Sequence, residues 1–468
     1  MNNVQLIYPK TDNIYSLKKD TVKQAELQVN RFNTPAQKTN ISFAKLPVQS
    51  PKTKLLNKDE LTKYNTLSDF LKNSPATETS FNLTPIKQLD MLLKNGKLLS
   101  KSNDGTTMLD NLYEIATIPR AEGLNQKNLI SNILDNTLNP RIITQTLGDI
   151  PENEIQGILN QLPNDDPIKQ NPRLMSVISS GTCPAASNEV NLADKNPAEY
   201  ARWVKALSSE EKSVILNVNM NSISKNKLDA IMILDMLQAQ KEGPFDFDKV
   251  KIKIGLDDNA YIRAKLQDKY WDKGERNVAD VLIQSAIMQA GSQNTYNSLT
   301  DMRAGEFSSN PKGLIEIEKT YVESLIKNKE ITSLVYQQID DNQNLVGYTC
   351  SFDKMQKHIK DTIDAGDNVI IGYVLTNETV GKVASGLYNP EIDGAKNKVI
   401  NGHEITIVDY KTDRNGKTTF LCIDTDDDSP DYVEYGADWL LPKIHHAGYP
   451  SCIVNDDEKE IMQKANMC

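Results

Sequence analysis

One cysteine stands where a loop of small residues runs into an apolar-periodic segment, in the stretch Ser179-Ser180-Gly181-Thr182-Cys183-Pro184-Ala185-Ala186-Ser187. Pro184 suits the first helical position, because its missing N–H would have no partner there. Thr182 or Ser180 is expected to cap the helix. Cys183 is then predicted at a helix N-terminus, where free N–H groups and the dipole favour a thiolate. That is the setting of a nucleophile, and a nucleophile needs a base. His403 and Asp424 flank the turn Asp413-Arg414-Asn415-Gly416 at similar separations, the histidine before it and the aspartate after it. On an antiparallel hairpin they become cross-strand neighbours to within a residue or two of register. A carboxylate so placed holds the imidazole in one tautomer while the other nitrogen takes the thiol proton.

The elements that must position these residues can be read from periodicity. The hairpin needs strands over 399–410 and 418–424, and Asn415-Gly416 is a strong turn signal between them. Ahead of it, NVIIGYVL (368–375) is a continuous apolar run of the kind found in buried strands. Residues 249–255 alternate as a further strand. Helices are expected from Cys183 to about Leu192 and from Pro197 onward. Further helices are expected over 226–240, 279–290, 314–326 and along Phe352–Ile363. The order is helices first and then an antiparallel sheet, which predicts an α+β domain.

Residues 1–52 are rich in Asn, Thr, Lys, Gln and Pro and read as a mostly disordered tail, with VQLIY as its one strand-like piece. Residues 53–165 carry short helical patterns and form an expected α-helical domain, with the segments 108–118, 128–138 and 142–147 among its helices. Leu162–Pro167 reads as a linker. The main domain is expected over 170–455, with a largely helical insertion at about 196–345 and a C-terminal tail at 456–468.

The net charge of −10 argues against a nucleic-acid-binding surface. The five cysteines, at 183, 350, 422, 452 and 468, are scattered with no CxxC pair, so reduced thiols are expected rather than a disulfide framework. No stretch is long and apolar enough for a membrane span. The first residues lack the apolar core of a secretory signal. The expected location is cytoplasmic, or exterior by a route that reads no N-terminal signal.

Taken together, Gly181-Thr182-Cys183, NVIIGYVL and GHEITIVDYKTDRNGKTTFLCID resemble the cysteine-helix start, sheet strand and histidine hairpin of the papain-like cysteine peptidases, over about residues 175–445. VADVLIQSAIMQAGSQNTYNSL (278–299) is similar to a helix of the calpain-type members, and Asp424 in the third position is similar to C39-like and transglutaminase-type enzymes. The resemblance implies a papain-like domain made of a helical half and an antiparallel sheet. It implies a thiol-dependent hydrolase of peptide or isopeptide bonds, with Cys183 as nucleophile, His403 as base and then acid, and Asp424 orienting His403. It implies a protein or peptide substrate and no metal or organic cofactor. A transglutaminase-type acyltransferase using the same triad and a non-catalytic binding module on the same fold are the alternatives. Residues 53–165 would either cover the cleft as a propeptide-like inhibitor or recruit substrate. The family's oxyanion glutamine precedes the cysteine by six residues, a position held here by Val177, with Ser176, Ser179, Ser180 or the Cys183 backbone N–H as substitutes.

Other features have plainer readings. His445-His446 is expected on a loop in a surface or interface role, and His358 is expected to be structural. Asp424-Thr425-Asp426-Asp427-Asp428 lacks the glycine and glutamate of an EF-hand and reads as an acidic turn, with Asp426 in reserve as the orienting carboxylate. Gln284 and Gln289 are expected on the solvent face of their helix, and Cys350 and Cys422 in the core.

Overall fold

The structure is a computed structural model that describes residues 56–75, 83–175, 181–224, 240–241, 248, 250–303, 313–376, 389, 398–426, 431–454 and 461. Four helices come first: α1 Lys58–Phe70, α2 Pro85–Lys94, α3 Met108–Thr117 and α4 Gln126–Leu138. Local chemistry sets their starts. Asn57 and Glu60 form a capping box on α1, and Thr107 and Asp110 form one on α3. The predicted helix at 142–147 is instead one turn of 3-10 helix, Pro140–Ile142, followed by extended chain. That strand-like segment makes tertiary contacts described below. α5, Glu152–Gln161, follows.

α6, Cys183–Lys195, carries the cysteine at its first residue, and α7 spans Pro197–Leu207. The segment expected to be a helical insertion is mixed. It holds a small antiparallel sheet of β1 Ser213–Val218, β2 Gln240–Lys241 and β3 Val250–Gly255, together with α8 Ala260–Tyr270, α9 Val278–Gly291 and α10 Glu316–Lys327. The predicted helix 226–240 lies almost wholly outside the described residues, as do the 1–52 tail and all of 456–468 except Ile461. α9 starts at a capping box between Asn277 and Asp280. Gln284 and Gln289, expected at its solvent face, are both buried. The helix is enclosed on all sides, so its polar residues mark internal hydrogen bonds rather than an exposed stripe.

The second half is a six-stranded antiparallel sheet. Its strands are β4 Ile331–Val335, β5 Val369–Thr376, β6 Val399–Thr412, β7 Thr418–Ile423, β8 Val433–Gly436 and β9 Ile444–Pro450, in the order β8-β7-β6-β5-β9-β4. The α+β expectation therefore holds. α11, Phe352–Asp364, packs on one face. The β6–β7 hairpin turns where expected: the Asp413 side chain accepts from Asn415 N at 2.9 Å and Lys417 N at 2.8 Å, and Gly416 takes φ +81°.

The sheet divides two cores. Ile405, Ile407, Phe420 and Cys422 join Met355 and Ile359 of α11 on one side. On the other, a continuous buried cluster runs from Leu56 and Leu67 in the first helices through Leu129, Val190, Tyr200 and Ile283 to Ile423. The N-terminal helices, α6 and α9 thus share one core. Among the described residues no helix is long and apolar enough to cross a membrane.

Candidate active site

Alternation along the central strand β6 decides what each residue can face. Ile405 and Ile407 enter the α11-side core, while Glu404 and Thr406 turn toward α6 and α10: Thr406 Oγ1 lies 3.5 Å from the Ser187 carbonyl, and Glu404 meets Lys319. Pairing of β6 with β7 ends at Thr406–Ile423 and slips at Ile407/Asp409. His403 and Asp424 lie just past the last rung, so they meet diagonally. His403 Nε2 is 2.6 Å from Asp424 Oδ1. With Nε2 held there, Nδ1 is the ring nitrogen left for a thiol, and Cys183 lies close enough to act on the charge of His403. The structure thus brings Cys183, His403 and Asp424 together.

Burial works against charge on His403, but the Asp424 carboxylate and its hydrogen bond, helped by nearby Cys183, outweigh it, so the imidazole is protonated well above its ordinary range. Burial likewise opposes charge on Asp424, and the charge and hydrogen bond of His403 overcome it, holding the carboxyl below its ordinary value. Asp424 is further tied by the Asp426 N–H at 3.1 Å and by the Tyr435 hydroxyl, which donates to Oδ2 at 3.3 Å. Asp426 itself is exposed and serves that turn through its backbone, not as the orienting carboxylate. Tyr435 stacks on Trp439 with centroids 4.8 Å apart, and Tyr373 meets the His403 ring edge-on at 5.8 Å. Tyr373 thus flanks the imidazole and Tyr435 its carboxylate.

Cys183 is half-buried and takes the first position of α6, expected for Pro184, which follows at the second. Thr182 occupies the N-cap position but makes no capping hydrogen bond. Its hydroxyl turns to Gln284 Oε1 at 3.3 Å and accepts from the Arg276 guanidinium. Arg276 is buried, pairs with Asp301 at 3.1 Å and donates to the Gln145 carbonyl at 2.6 Å. Gln284 donates to the Thr144 carbonyl at 2.8 Å and to Glu189 at 2.9 Å. The extended segment 144–146 reaches the other side of the site as well: Gln145 N and Thr144 Oγ1 both donate to the Thr425 carbonyl, at 2.8 and 2.9 Å. One strap from the N-terminal region therefore supports both the residue before Cys183 and the residue after Asp424.

Arg276, Gln284 and the 144–146 strap were not foreseen as site elements. Asn277-x-x-Asp280, a capping box one residue past Arg276, was the available signal. Val177 and Ser176, Ser179 and Ser180 lie outside the described residues, as do Asp427 and Asp428. Cys422 is buried, as expected, and Cys350 is half-buried against the same core. His358 is structural, bonded to the Tyr336 hydroxyl at 2.9 Å. His445 and His446 are not on a loop: both lie in β9, and His446 is buried. No family model matches the chain, and no curated protein matches it.

Proposed function

We propose that the chain is a papain-like, thiol-dependent hydrolase that cleaves peptide or isopeptide bonds, with Cys183 as nucleophile, His403 as proton carrier and Asp424 as the group that orients it. The observation that carries the reading is the position of His403, bonded to Asp424 through Nε2 at 2.6 Å and close to a cysteine at a helix N-terminus. Helical elements on one side and an antiparallel sheet supplying histidine and carboxylate on the other are the arrangement that the papain-like resemblance implies.

In the first step the Cys183 thiolate attacks the substrate carbonyl and forms a C–S bond, placing negative charge on the carbonyl oxygen. The Cys183 backbone N–H, in the unbonded first turn of its helix, is one donor for that oxygen. The His403 imidazolium gives its proton to the leaving amine as the C–N bond breaks, leaving a thioester. Neutral His403 then takes a proton from water, the hydroxide adds to the thioester, and the carboxylic acid leaves as the thiolate and imidazolium re-form. Asp424 holds the ring throughout and compensates its charge.

Labelling with an electrophilic thiol probe, followed by peptide mapping, tests the assignment. Cys183 is expected to label far faster than exposed Cys452, with labelling suppressed in His403→Ala. Equal labelling of the two cysteines would sink the reading. Adding an amine during turnover separates hydrolysis from acyl transfer.

A further inference from the structure

We propose that His445, His446 and Glu316 form a site for one divalent transition-metal ion of the zinc class, apart from the Cys183–His403–Asp424 group. Among the described residues these three carry donor atoms that all lie within 4.8 Å of one another. The distances are those of ligands around a common ion. His445 Nδ1 and His446 Nδ1 are 3.1 Å apart, and Glu316 Oε1 is 3.3 Å from His446 Nδ1. A tetrahedral ion with nitrogen and oxygen donors at about 2.0–2.1 Å spaces them at about 3.4 Å.

The backbone is shaped for this meeting. Neighbours along a strand point to opposite faces, so consecutive histidines should not converge. Here β9 pairs Ile444 with Tyr373 and His446 with Gly372, which leaves His445 as the extra residue of a β-bulge. Bulges re-aim a side chain in this way. Gly372 completes the fit: a Cβ there would lie 2.0 Å from the His446 ring, so only glycine lets the ring lie over the β5 backbone.

The surroundings also match a metal centre. A ligating histidine commonly donates its other N–H to a carboxylate. His446 Nε2 is 3.3 Å from Glu404 Oε1, and Glu404 is held by Lys319 at 2.5 Å. Lys319 also approaches Glu316 Oε1 at 3.1 Å, yet Glu316 Oε2 is buried with no hydrogen-bond partner, so the carboxylate has an oxygen to spare. The Glu316 side chain is 40% exposed, so the cluster lies near the surface. The cavity beside the cluster is lined by Asn188, Glu316, Lys319, Glu404 and His446, and the buried Asn188 Oδ1 has no partner. Two carboxylates facing one lysine leave negative charge for a cation to balance. With imidazole and carboxylate donors the set favours zinc, cobalt or nickel over calcium or magnesium.

The test uses the full chain carrying Cys183→Ala and no affinity histidines, so that the Cys183 thiol cannot bind the probe. Cobalt(II) is titrated and followed by its visible d–d absorption, with zinc(II) as competitor. One equivalent is expected to bind with a nitrogen–oxygen spectrum and to be displaced by zinc. His445→Ala and Glu316→Gln are expected to abolish stoichiometric uptake, and Glu404→Gln to weaken it about 10–100-fold. Glu316→Gln keeps side-chain volume at a half-exposed position, so it carries the test should an alanine variant fail to fold. Absence of stoichiometric uptake by the Cys183→Ala protein, or uptake that persists in either ligand variant, overturns the proposal. Neither outcome bears on thiol reactivity, so the two readings fail separately.

Discussion

Replacing Asp424 by asparagine keeps the shape beside His403 and removes the charge. At 2.6 Å, an attraction between full charges at an effective dielectric of ~20 is about 6 kcal/mol. Part of the bond survives, since the asparagine carbonyl still accepts from Nε2, and a hydrogen bond to a neutral acceptor retains about 1 kcal/mol. Water entering the vacated field recovers more, so the net loss of imidazolium stabilisation is about 3–4 kcal/mol, which corresponds to about 2–3 pH units. His403 is therefore expected to titrate far lower in Asp424→Asn than in the wild type. The chain has four histidines, so carbon-labelled imidazole resonances can be assigned by single substitutions and followed from pH 4 to 10. Stability should change in step. A histidine whose folded pKa is raised contributes stability that is complete below about pH 6.5 and is lost as pH rises through the folded pKa. Urea unfolding should show that loss in the wild type and a flatter profile in the variant. If His403 titrates within about half a unit in both proteins, Asp424 is not what holds the imidazolium.

Arg276→Met should destabilise by about 3–5 kcal/mol, because it leaves Asp301 buried without its cation; urea unfolding measures it, with Asp301→Asn in the same background expected to recover part of the loss. Gly372→Ala should cost about 1–3 kcal/mol by the same assay, since its Cβ meets the His446 ring at 2.0 Å. Glu189 and Asp280 are buried together, and burial raises Glu189 well above an ordinary carboxyl, with the nearby Asp280 charge adding to the rise. The folded pair keeps a proton that unfolded carboxyls release near pH 4, so its contribution is complete below that pH and declines as pH rises toward the folded value, by about 1.4 kcal/mol per unit. Glu189→Gln should remove that decline from the stability–pH profile, and an unchanged slope would show that the pair carries no shared proton.

The sequence made the site legible where local rules act. Pro184 marked the helix start to within a residue, and Asn415-Gly416 marked the turn that brings His403 diagonally to Asp424. What it hid were features set by tertiary packing. The Gln284 and Gln289 positions follow a helical stripe, yet a helix enclosed on every side turns that stripe into internal bonds to Thr144, Glu189 and Tyr296. Thr182 has the chemistry of a cap, but Arg276, distant in sequence, claims its hydroxyl. The apolar pattern around Ile142–Leu147 suits a helix, while its backbone is drawn out to bond Thr425 and Arg276. His445-His446 read as a loop pair because a β-bulge has no reliable sequence mark.

The strap at 144–146 also bears on how this protein can be handled. It joins the four N-terminal helices to both halves of the Cys183–His403–Asp424 site, and those helices share the core that seats α6. Removing this segment would break the hydrogen bonds from Arg276 and Gln284 to residues 144–146 and those from Gln145 N and Thr144 Oγ1 to the Thr425 carbonyl. Shortened expression forms beginning near residue 170 would lose the carbonyls that Arg276 and Gln284 grip, along with the donors that fix the turn after Asp424.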